Sequence, residues 1–388
     1  MIKLVLILVL FGSFISYTQS SRDEFNAIFF PQGYGLKLLN SSGNSSIYND
    51  ISNLGFMNPA SISGFNNYTF GLSYQLSSSI EDAYIFNIGI SRVHDFYPQS
   101  VGGIVKWEGF TFGFGYSQKY NGVLDFGPIP VTTVNNPDGT GEFFEPIHES
   151  VIHNYSLTAS YSFNELFQTS NDLSLGLRFN LNRFHQYEEI GKIKVTATDF
   201  FNSITLGLIY DITLIDERKL KIGLAYENKA QFKAEIKVDN NYLISPNDSI
   251  PNINIVPVKT YYVGSSPPEL RFDFVTDLTQ NIKILMNLTG VFWKDSENNL
   301  KDQLEYSAGA AYDINEKVST GFGIYYSDRN YENDIYRMNS KFNVLFLTAG
   351  LKLNFKLFYA DLTLADSHLF SGEFRKQTIG KFSIGITL

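Results

Sequence analysis

The sequence predicts an all-β fold, a transmembrane antiparallel β-barrel of about fourteen strands. Three observations support this prediction: apolar and polar residues alternate with a period of two, many of the alternating runs are long, and short and long connections follow each other along the chain. The composition agrees, because Phe and Tyr far outnumber Met and Trp and glycine is abundant. Such a mixture favours strands and turns over helices.

The chain begins with features of an export signal. Lys3 supplies a short charged region, and residues 4–15 form an apolar stretch of the length used by signal peptides. This stretch is shorter than the roughly 18 apolar residues that a membrane-spanning helix needs. Small residues at Ser16 and Thr18 place cleavage near Gln19, so we expect residues 1–18 to be a signal peptide.

The clearest alternation covers residues 173–181, where Leu and Phe at odd positions alternate with small or polar residues. Further runs of this kind lie at 204–210, 220–226, 270–274 and 345–355. Strands of soluble proteins usually have about 5–6 residues, whereas membrane-spanning strands need about 9–11. Many of the runs are of the longer kind, and their polar faces are rich in Gly, Ser, Thr and Asn. A confined barrel interior suits such a face.

Connection lengths predict the topology. Short connections lie at 212–219, 277–281, 314–318 and 354–357, and longer ones at 120–149, 228–267 and 294–302. Transmembrane barrels have short turns on one side and longer loops on the other. From residue 149 onward this rule predicts eleven strands, near 149–163, 172–188, 198–212, 219–228, 268–278, 281–294, 303–314, 318–330, 339–354, 356–368 and 376–388. An even total then requires an odd number of strands before residue 149.

Four apolar runs precede residue 149, at 68–76, 83–91, 100–107 and 110–119. The apolar residues are at odd positions up to Trp107 and at even positions from Phe110 onward. One extra residue at Glu108 and Gly109 would shift the phase in this way, as a β-bulge or glycine kink does. We therefore predict one interrupted third strand, kinked at Trp107, Glu108 and Gly109, and a barrel over residues 68–388.

Charge and cysteine content exclude several functions. The absence of cysteine removes disulfides, thiolate metal sites and thiol catalysis, and the net charge of −9 gives no reason to expect a nucleic-acid partner. His148 and His153 do not have the i, i+4 spacing of the helical zinc motif. Neither a Gly-x-Ser-x-Gly nucleophile motif nor a phosphate-binding glycine loop is present. We expect no catalytic residue, metal or cofactor.

The segment from Ile47 to Gly64, which contains Asn58-Pro59-Ala60, resembles the end of the N-terminal hatch in outer-membrane long-chain fatty acid transporters of the FadL type. Further along, Ser266-Pro267-Pro268-Glu269 leads into a strand and the next strand ends at Trp293, an order similar to the later half of that family. The resemblance implies a fourteen-stranded barrel in the bacterial outer membrane, with residues 19–67 as a plug and Asn58, Pro59 and Ala60 as a hatch motif. It also implies a kinked third strand that opens the wall sideways.

These features together predict passive uptake of hydrophobic compounds such as long-chain fatty acids, by plug movement and lateral exit at the kinked strand. We expect a monomer in contact with outer-membrane lipid. Arg178, Arg271 and Lys352 are expected to face the lumen, where they either attract a carboxylate head group or pair with acidic residues. The candidate acidic partners are Asp273, Asp211 and Asp361. Two alternatives stay open: a non-transporting barrel that is a scaffold in a secretion or cell-surface protein assembly, and a soluble, secreted β-rich binding protein.

Overall fold

A computed structural model of the chain describes residues 38–48, 50–65, 68–82, 90–125, 129–130, 140–144, 146–164, 171–190, 193–214, 218–239, 259–295, 301–328, 343–371 and 377–388. The predicted signal peptide, residues 1–18, and the first part of the predicted hatch lie outside the described residues. No helix among the described residues is long and apolar enough to cross a membrane.

Fourteen antiparallel strands of the described chain form a closed barrel, in which each strand pairs with the next and the last pairs with the first. The strands are β1 Tyr68–Asp82, β2 Ile90–Trp107, β3 Phe110–Asp125, β4 Pro146–Phe163, β5 Asp172–Ile190, β6 Ile193–Thr213, β7 Lys219–Glu227 with Ala230–Asp239, β8 Tyr261–Ser266 with Glu269–Asp277, β9 Ile282–Val291, β10 Gln303–Asn315, β11 Val318–Ser327, β12 Val344–Asn354, β13 Phe358–Asp366 and β14 Gln377–Thr387. Closure leaves no sheet edge exposed to lipid. The predicted fold class is confirmed.

The alternation sorts side chains to the two faces of the wall. On β5, Leu175, Leu177 and Phe179 are exposed on the outside, whereas Arg178 and Asn180 are buried inside. Similar exposed aliphatic and aromatic residues occur on the other strands and form an apolar belt around the barrel. A belt of this kind suits contact with lipid hydrocarbon. We call the end of the barrel with the turn at residues 108–109 the lower end, and the opposite end the upper end.

Strands β4, β5 and β6 have 18, 19 and 21 residues. These lengths exceed the roughly 9–11 residues needed to cross a membrane, so the upper ends continue beyond the apolar belt. In β5 the pattern inverts there: Phe184 points into the lumen, whereas Arg183 and His185 are on the outside. Since β5 continues to Ile190 and β6 begins at Ile193, the connection at this upper end is short, which departs from the predicted alternation.

The predicted kink at Trp107, Glu108 and Gly109 is wrong. Trp107 pairs with Phe110, so these residues form a two-residue turn between two separate strands, β2 and β3. Partners across such a turn lie on the same face, and the apolar positions therefore change from odd to even without any bulge. The predicted total of fourteen strands is nevertheless correct, because two errors cancel. The prediction joins β2 and β3 into one kinked strand, and it adds a separate strand at 83–91, where β2 begins only at Ile90.

Residues 38–65, called the lumenal segment below, lie inside the barrel. The 3-10 turn Ile51–Asn53 packs against β1, β2 and β14, and the 3-10 turn Pro59–Gly64 packs against β3 to β6. The segment also contains a short antiparallel ladder, in which Leu39–Asn40 pairs with Gly43–Asn44. This ladder contacts β9 to β12. Gly207 makes this close approach feasible, because a Cβ atom at Gly207 would lie 2.1 Å from Asn58 Oδ1.

Candidate functional site

Two buried arginines hold the lumenal segment. Arg178, 1% exposed, donates hydrogen bonds to the carbonyl oxygens of Leu54 (3.1 Å) and Met57 (2.7 Å). Arg271 donates to the carbonyl oxygen of Phe56 and forms an ion pair with Glu269. Hydrogen bonds from a charged donor are stronger than those between neutral groups. Both arginines face the lumen as expected, but their donors bind the segment, and contact with a ligand stays a prediction.

Asp273 holds the first part of the segment. Its carboxylate accepts hydrogen bonds from Ser46 N at 2.8 Å, from Ser45 Oγ at 3.2 Å and from Asn287 Nδ2 at 3.1 Å. We expected an arginine to pair with Asp273, but Arg271 forms its ion pair with Glu269 instead. Asp273 thus accepts hydrogen bonds from the segment, whereas the arginines donate hydrogen bonds to it.

The motif Asn58-Pro59-Ala60 lies against the inner faces of β5, β6 and β7. Asn58 Oδ1 accepts a hydrogen bond from Ala60 N at 2.9 Å and so caps the 3-10 turn that begins at Pro59. Asn58 Nδ2 donates to the carbonyl oxygens of Leu208 (3.2 Å) and Leu224 (3.0 Å). One amide side chain therefore both caps the start of the turn and attaches the turn to the wall.

Lys352 is not part of this arginine cluster. It lies on β12 near the lower end, where its Nζ atom is 5.1 Å from the ring centroid of Tyr359 and its backbone pairs with Asp361. The alternation predicts that Lys352, like Arg178 and Arg271, lies on the inner face, and for this reason the three cations are treated together in the sequence analysis. The structure places it on a distant strand, so the three cations do not form a common site.

A buried ion pair lies above the arginines. Lys119 on β3 pairs with Glu227 on β7, and the two side chains are 7% and 4% exposed. Glu227 also accepts a hydrogen bond from Ser203 Oγ at 2.7 Å. Lys119 is the extra residue of a β-bulge, because Gln118 and Tyr120 pair with consecutive residues of β4. The third strand thus has an irregularity, but at Lys119 and not at Glu108.

Above this ion pair the lumen is lined by a group that we call the upper aromatic cluster. Its buried members are Tyr120, Ile152, Phe184, Ala197, Phe201, Ala230, Phe232, Ala234, Tyr262, Val291 and Trp293. The ring centroids of Phe184 and Phe232 are 4.3 Å apart, and those of Phe201 and Phe232 are 5.1 Å apart. These residues were missed from the sequence. The local inversion of the alternation at Arg183, Phe184 and His185 was the signal that could have found part of this cluster.

The wall is incomplete beside this cluster. Within residues 90–125, β2 and β3 pair from Trp107 opposite Phe110 up to Ser100 opposite Ser117 and no further, while each stays paired with its other neighbour. A second bulge, at Gln99 of β2, lies at the same level as the bulge at Lys119. The backbone of Ser52 in the lumenal segment accepts a hydrogen bond from Ser100 Oγ, so the segment contacts the foot of this opening.

No group of three or more His, Cys, Asp or Glu side chains in the described part of the chain is placed to hold a metal ion. Of the two candidate histidines, His153 lies on β4 with its Nδ1 atom 2.8 Å from the hydroxyl oxygen of Tyr116, and the side chain of His148 is outside the described set. The absence of a metal or cofactor stays a prediction. In its lower part the lumen binds the lumenal segment through hydrogen-bond donors, and in its upper part it is lined by apolar rings.

Fold and lumen together define a class: a closed fourteen-stranded barrel with chain inside its lower half. Solved structures of this architecture include the Pseudomonas putida toluene transporter TodX, at 15% identity and a TM-score of 0.59 over 91% of this chain and 97% of that one. The Ralstonia pickettii toluene transporter TbuX has 14% identity and a TM-score of 0.57, with 89% and 98% covered. A Pseudomonas aeruginosa FadL homologue has 11% identity and a TM-score of 0.54, with 93% and 97% covered.

At these identities the likeness shows a shared fold and no more. No family model matches the chain, and no curated protein matches it in sequence.

Proposed function

We propose that the protein is an outer-membrane channel of the FadL type that lets hydrophobic compounds pass inward by diffusion. The observation that supports this most is the upper aromatic cluster, because it brings six buried aromatic rings together in the lumen, whereas the other apolar group of the described wall that contains rings has two, Tyr325 and Phe346. An apolar lining inside a barrel provides a place where a hydrophobic solute leaves water, at about 25 cal/mol for each Å² buried. The likeness to toluene transporters agrees with this function.

The lining favours a neutral compound over a charged one. The nearest ionic group below the cluster is the Lys119–Glu227 pair, in which the lysine is already neutralised. Arg178 and Arg271 donate to the lumenal segment, so a carboxylate would bind them only after the segment releases them. Long-chain fatty acids therefore require a further step that an aromatic hydrocarbon does not.

In this proposal the lumenal segment is the plug, and the opening between β2 and β3 is the lateral exit. The segment contacts the foot of the opening through Ser52, and Leu54 packs on Gly102 and Gly113 of the adjacent strands. A shift of the segment would therefore uncover the lumenal side of this opening. The exit is then at the level of Gln99 and Lys119 instead of the turn at Glu108.

The proposal is tested by uptake into bacterial cells that lack their own channels for hydrophobic compounds. Cells that produce the protein should take up labelled toluene faster than cells that produce none. The change Phe184→Ala with Phe232→Ala should lower this uptake by about tenfold, as a loss of roughly 1.4 kcal/mol in binding would.

Phe179→Ala with Phe272→Ala is the matched control, because both rings are exposed on the outer face of the wall, on β5 and β8, away from the lumen. Equal uptake by cells with and without the wild-type protein would contradict the proposed function. Equal uptake by the variant at Phe184 and Phe232 and by the control would remove the aromatic cluster from it.

A further inference from the structure

The wall has a second irregularity, between β6 and β7. The two strands pair at the lower end up to Thr205 opposite Glu227, and pair again at the upper end from Thr198 opposite Glu235. Between these ladders, residues 199–204 face residues 228–234 without ladder pairing, although β6 remains paired with β5 along its length. We call this interruption the β6–β7 window. Regular pairing both above and below distinguishes it from a frayed strand end.

Side chains bridge the two strands at both margins of the window, and at the lower margin Asn228 N also donates a backbone hydrogen bond to the carbonyl oxygen of Ile204 at 3.2 Å. At the upper margin, Asp199 Oδ2 accepts a hydrogen bond from Lys233 N at 2.6 Å. At the lower margin, Asn228 Oδ1 accepts a hydrogen bond from Ile204 N at 2.6 Å. Paired strands normally lie about 4.7–4.9 Å apart. A carboxylate placed between two strands needs more space than a direct backbone bond, so it keeps them apart while satisfying a backbone donor.

Aromatic rings lie directly inside the window. Phe201 on one margin and Phe232 on the other point into the lumen, with their ring centroids 5.1 Å apart. Gly264 of β8 gives Phe232 its space, because a Cβ atom at Gly264 would lie 2.6 Å from Cζ of that ring. Glu227, at the lower margin, is the partner of Lys119 at the foot of the other opening. The upper aromatic cluster therefore reaches from one opening to the other.

The outside of the window lies at the upper edge of the apolar belt. Ile204 is 45% exposed and pairs with Phe179 inside the belt, whereas Phe200 is 57% exposed and pairs with Arg183 just above it. Asn202 lies between them and is also exposed. The window thus connects the rim of the hydrocarbon layer with the aromatic cluster. Hydrophobic compounds concentrate in that layer because transfer out of water is favourable.

We propose that the β6–β7 window is a lateral port through which a neutral hydrophobic compound dissolved in the membrane leaflet at the upper end reaches the upper aromatic cluster. The port rests on the proposed function, because that cluster must bind such compounds. Phe201 and Phe232 part to admit the compound, and Asp199 and Asn228 hold the margins while they do so. The compound then leaves along the cluster toward Tyr120 beside the β2–β3 opening.

The test uses two features of the sequence, the absence of cysteine and the presence of only two tryptophans. Trp293 is buried in the cluster, and Trp107 is exposed at the lower turn, so Trp107→Phe leaves one reporter in the right place. Asn202→Cys with Gln231→Cys places one thiol on each margin of the window. A bifunctional thiol reagent with a reducible link then joins the margins. Lipid vesicles preloaded with 4-bromotoluene supply a heavy-atom quencher of tryptophan fluorescence.

Joining the window should slow the onset of Trp293 quenching by about tenfold, and reduction of the link should restore the original rate. The matched control is Leu206→Cys with Tyr226→Cys, exposed partners on the lower ladder of the same strand pair, where the link should have no effect. Equally fast quenching with the window joined would overturn the port while leaving the proposed function intact. Absence of quenching in every variant would overturn both.

Discussion

The lower half of the lumen is filled by the lumenal segment, which is bound by buried polar side chains of the wall and by an apolar group around Leu54 and Met57, whereas the aromatic cluster lines the lumen above it. The same strand contributes to both: β5 directs Arg178, Asn180 and Asn182 inward below and Phe184 inward above. Below, charged donors bind backbone carbonyls of the lumenal segment. Above, ring packs on ring.

Because of this difference, the closing of the barrel by the lumenal segment and the binding of a ligand take place at different levels along the barrel axis. The lower half closes the barrel through hydrogen bonds that need matched donors and acceptors. The upper half offers contacts that are non-directional and therefore suit solutes of different shapes. The ion pair of Lys119 and Glu227 lies at the boundary and touches both openings in the wall. Four substitutions test this division, beginning with that boundary.

Lys119→Met should destabilise the barrel most, by about 3–5 kcal/mol, because it leaves the buried carboxylate of Glu227 without its cation. The free energy of unfolding, measured by urea titration in lipid vesicles, gives the effect. Lys194→Met is the control, since Lys194 pairs with Glu189 at a surface where such pairs contribute about 0–1 kcal/mol. Equal effects of the two substitutions would show that the boundary pair has no special role.

Arg178→Ala should weaken the attachment of the lumenal segment by roughly 3 kcal/mol, because two carbonyl oxygens lose a charged donor. We expect a rise in ion conductance across a planar bilayer as the lower half opens. Arg183→Ala is the control on the same strand, because Arg183 is on the outer face. A closed channel in the Arg178 variant would mean that the other hydrogen bonds of the segment and its packing are enough to hold it.

Asp273→Asn should have a smaller effect, about 1–2 kcal/mol, because a neutral acceptor replaces the charged one that binds Ser46 N. The local measurement is hydrogen exchange at the Ser46 amide, which should become about tenfold faster for 1.4 kcal/mol. Asp211→Asn, at a half-buried pair with Lys221 on other strands of the wall, should leave that amide unchanged. Unchanged exchange in the Asp273 variant would contradict the role of this carboxylate.

Gly264→Ala should have the smallest effect on stability, about 1 kcal/mol, because the added methyl group displaces only the end of the Phe232 ring. The displaced ring should nevertheless weaken toluene binding, measured through Trp293 fluorescence. At Gly290 the nearest atom to a new Cβ is 3.4 Å away, so Gly290→Ala is the control. Unaltered toluene affinity in the Gly264 variant would show that Phe232 does not shape the binding region.

Local patterns predicted the barrel well where one strand is one uninterrupted run. The alternation at 173–181 places its residues as β5 does, and the strands predicted from residue 149 onward correspond to β4 to β14. The failure at Trp107 to Phe110 has a physical cause: a two-residue turn and a bulge produce the same change of phase. Only pairing between Trp107 and Phe110 distinguishes them, and pairing is not a local property.

The candidate site was less predictable. The direction in which Arg178 and Arg271 point follows from alternation, but their partners do not. Arg178 binds Leu54 from 124 positions away, and Asp273 binds Ser46 from 227 positions away. Part of the aromatic cluster was open to prediction, because the alternation inverts at Arg183 and Phe184 on a strand that is too long to end at the membrane.

By itself, the sequence determined the fold class and the polarity of the two faces of the wall. These properties depend on a side-chain period of two and on strand length, which each segment contains within itself. The tertiary structure alone decided where the wall opens and what holds the lumenal segment. Both depend on the register between strands and on contacts across the lumen, where residues distant in the chain compete for the same hydrogen bonds.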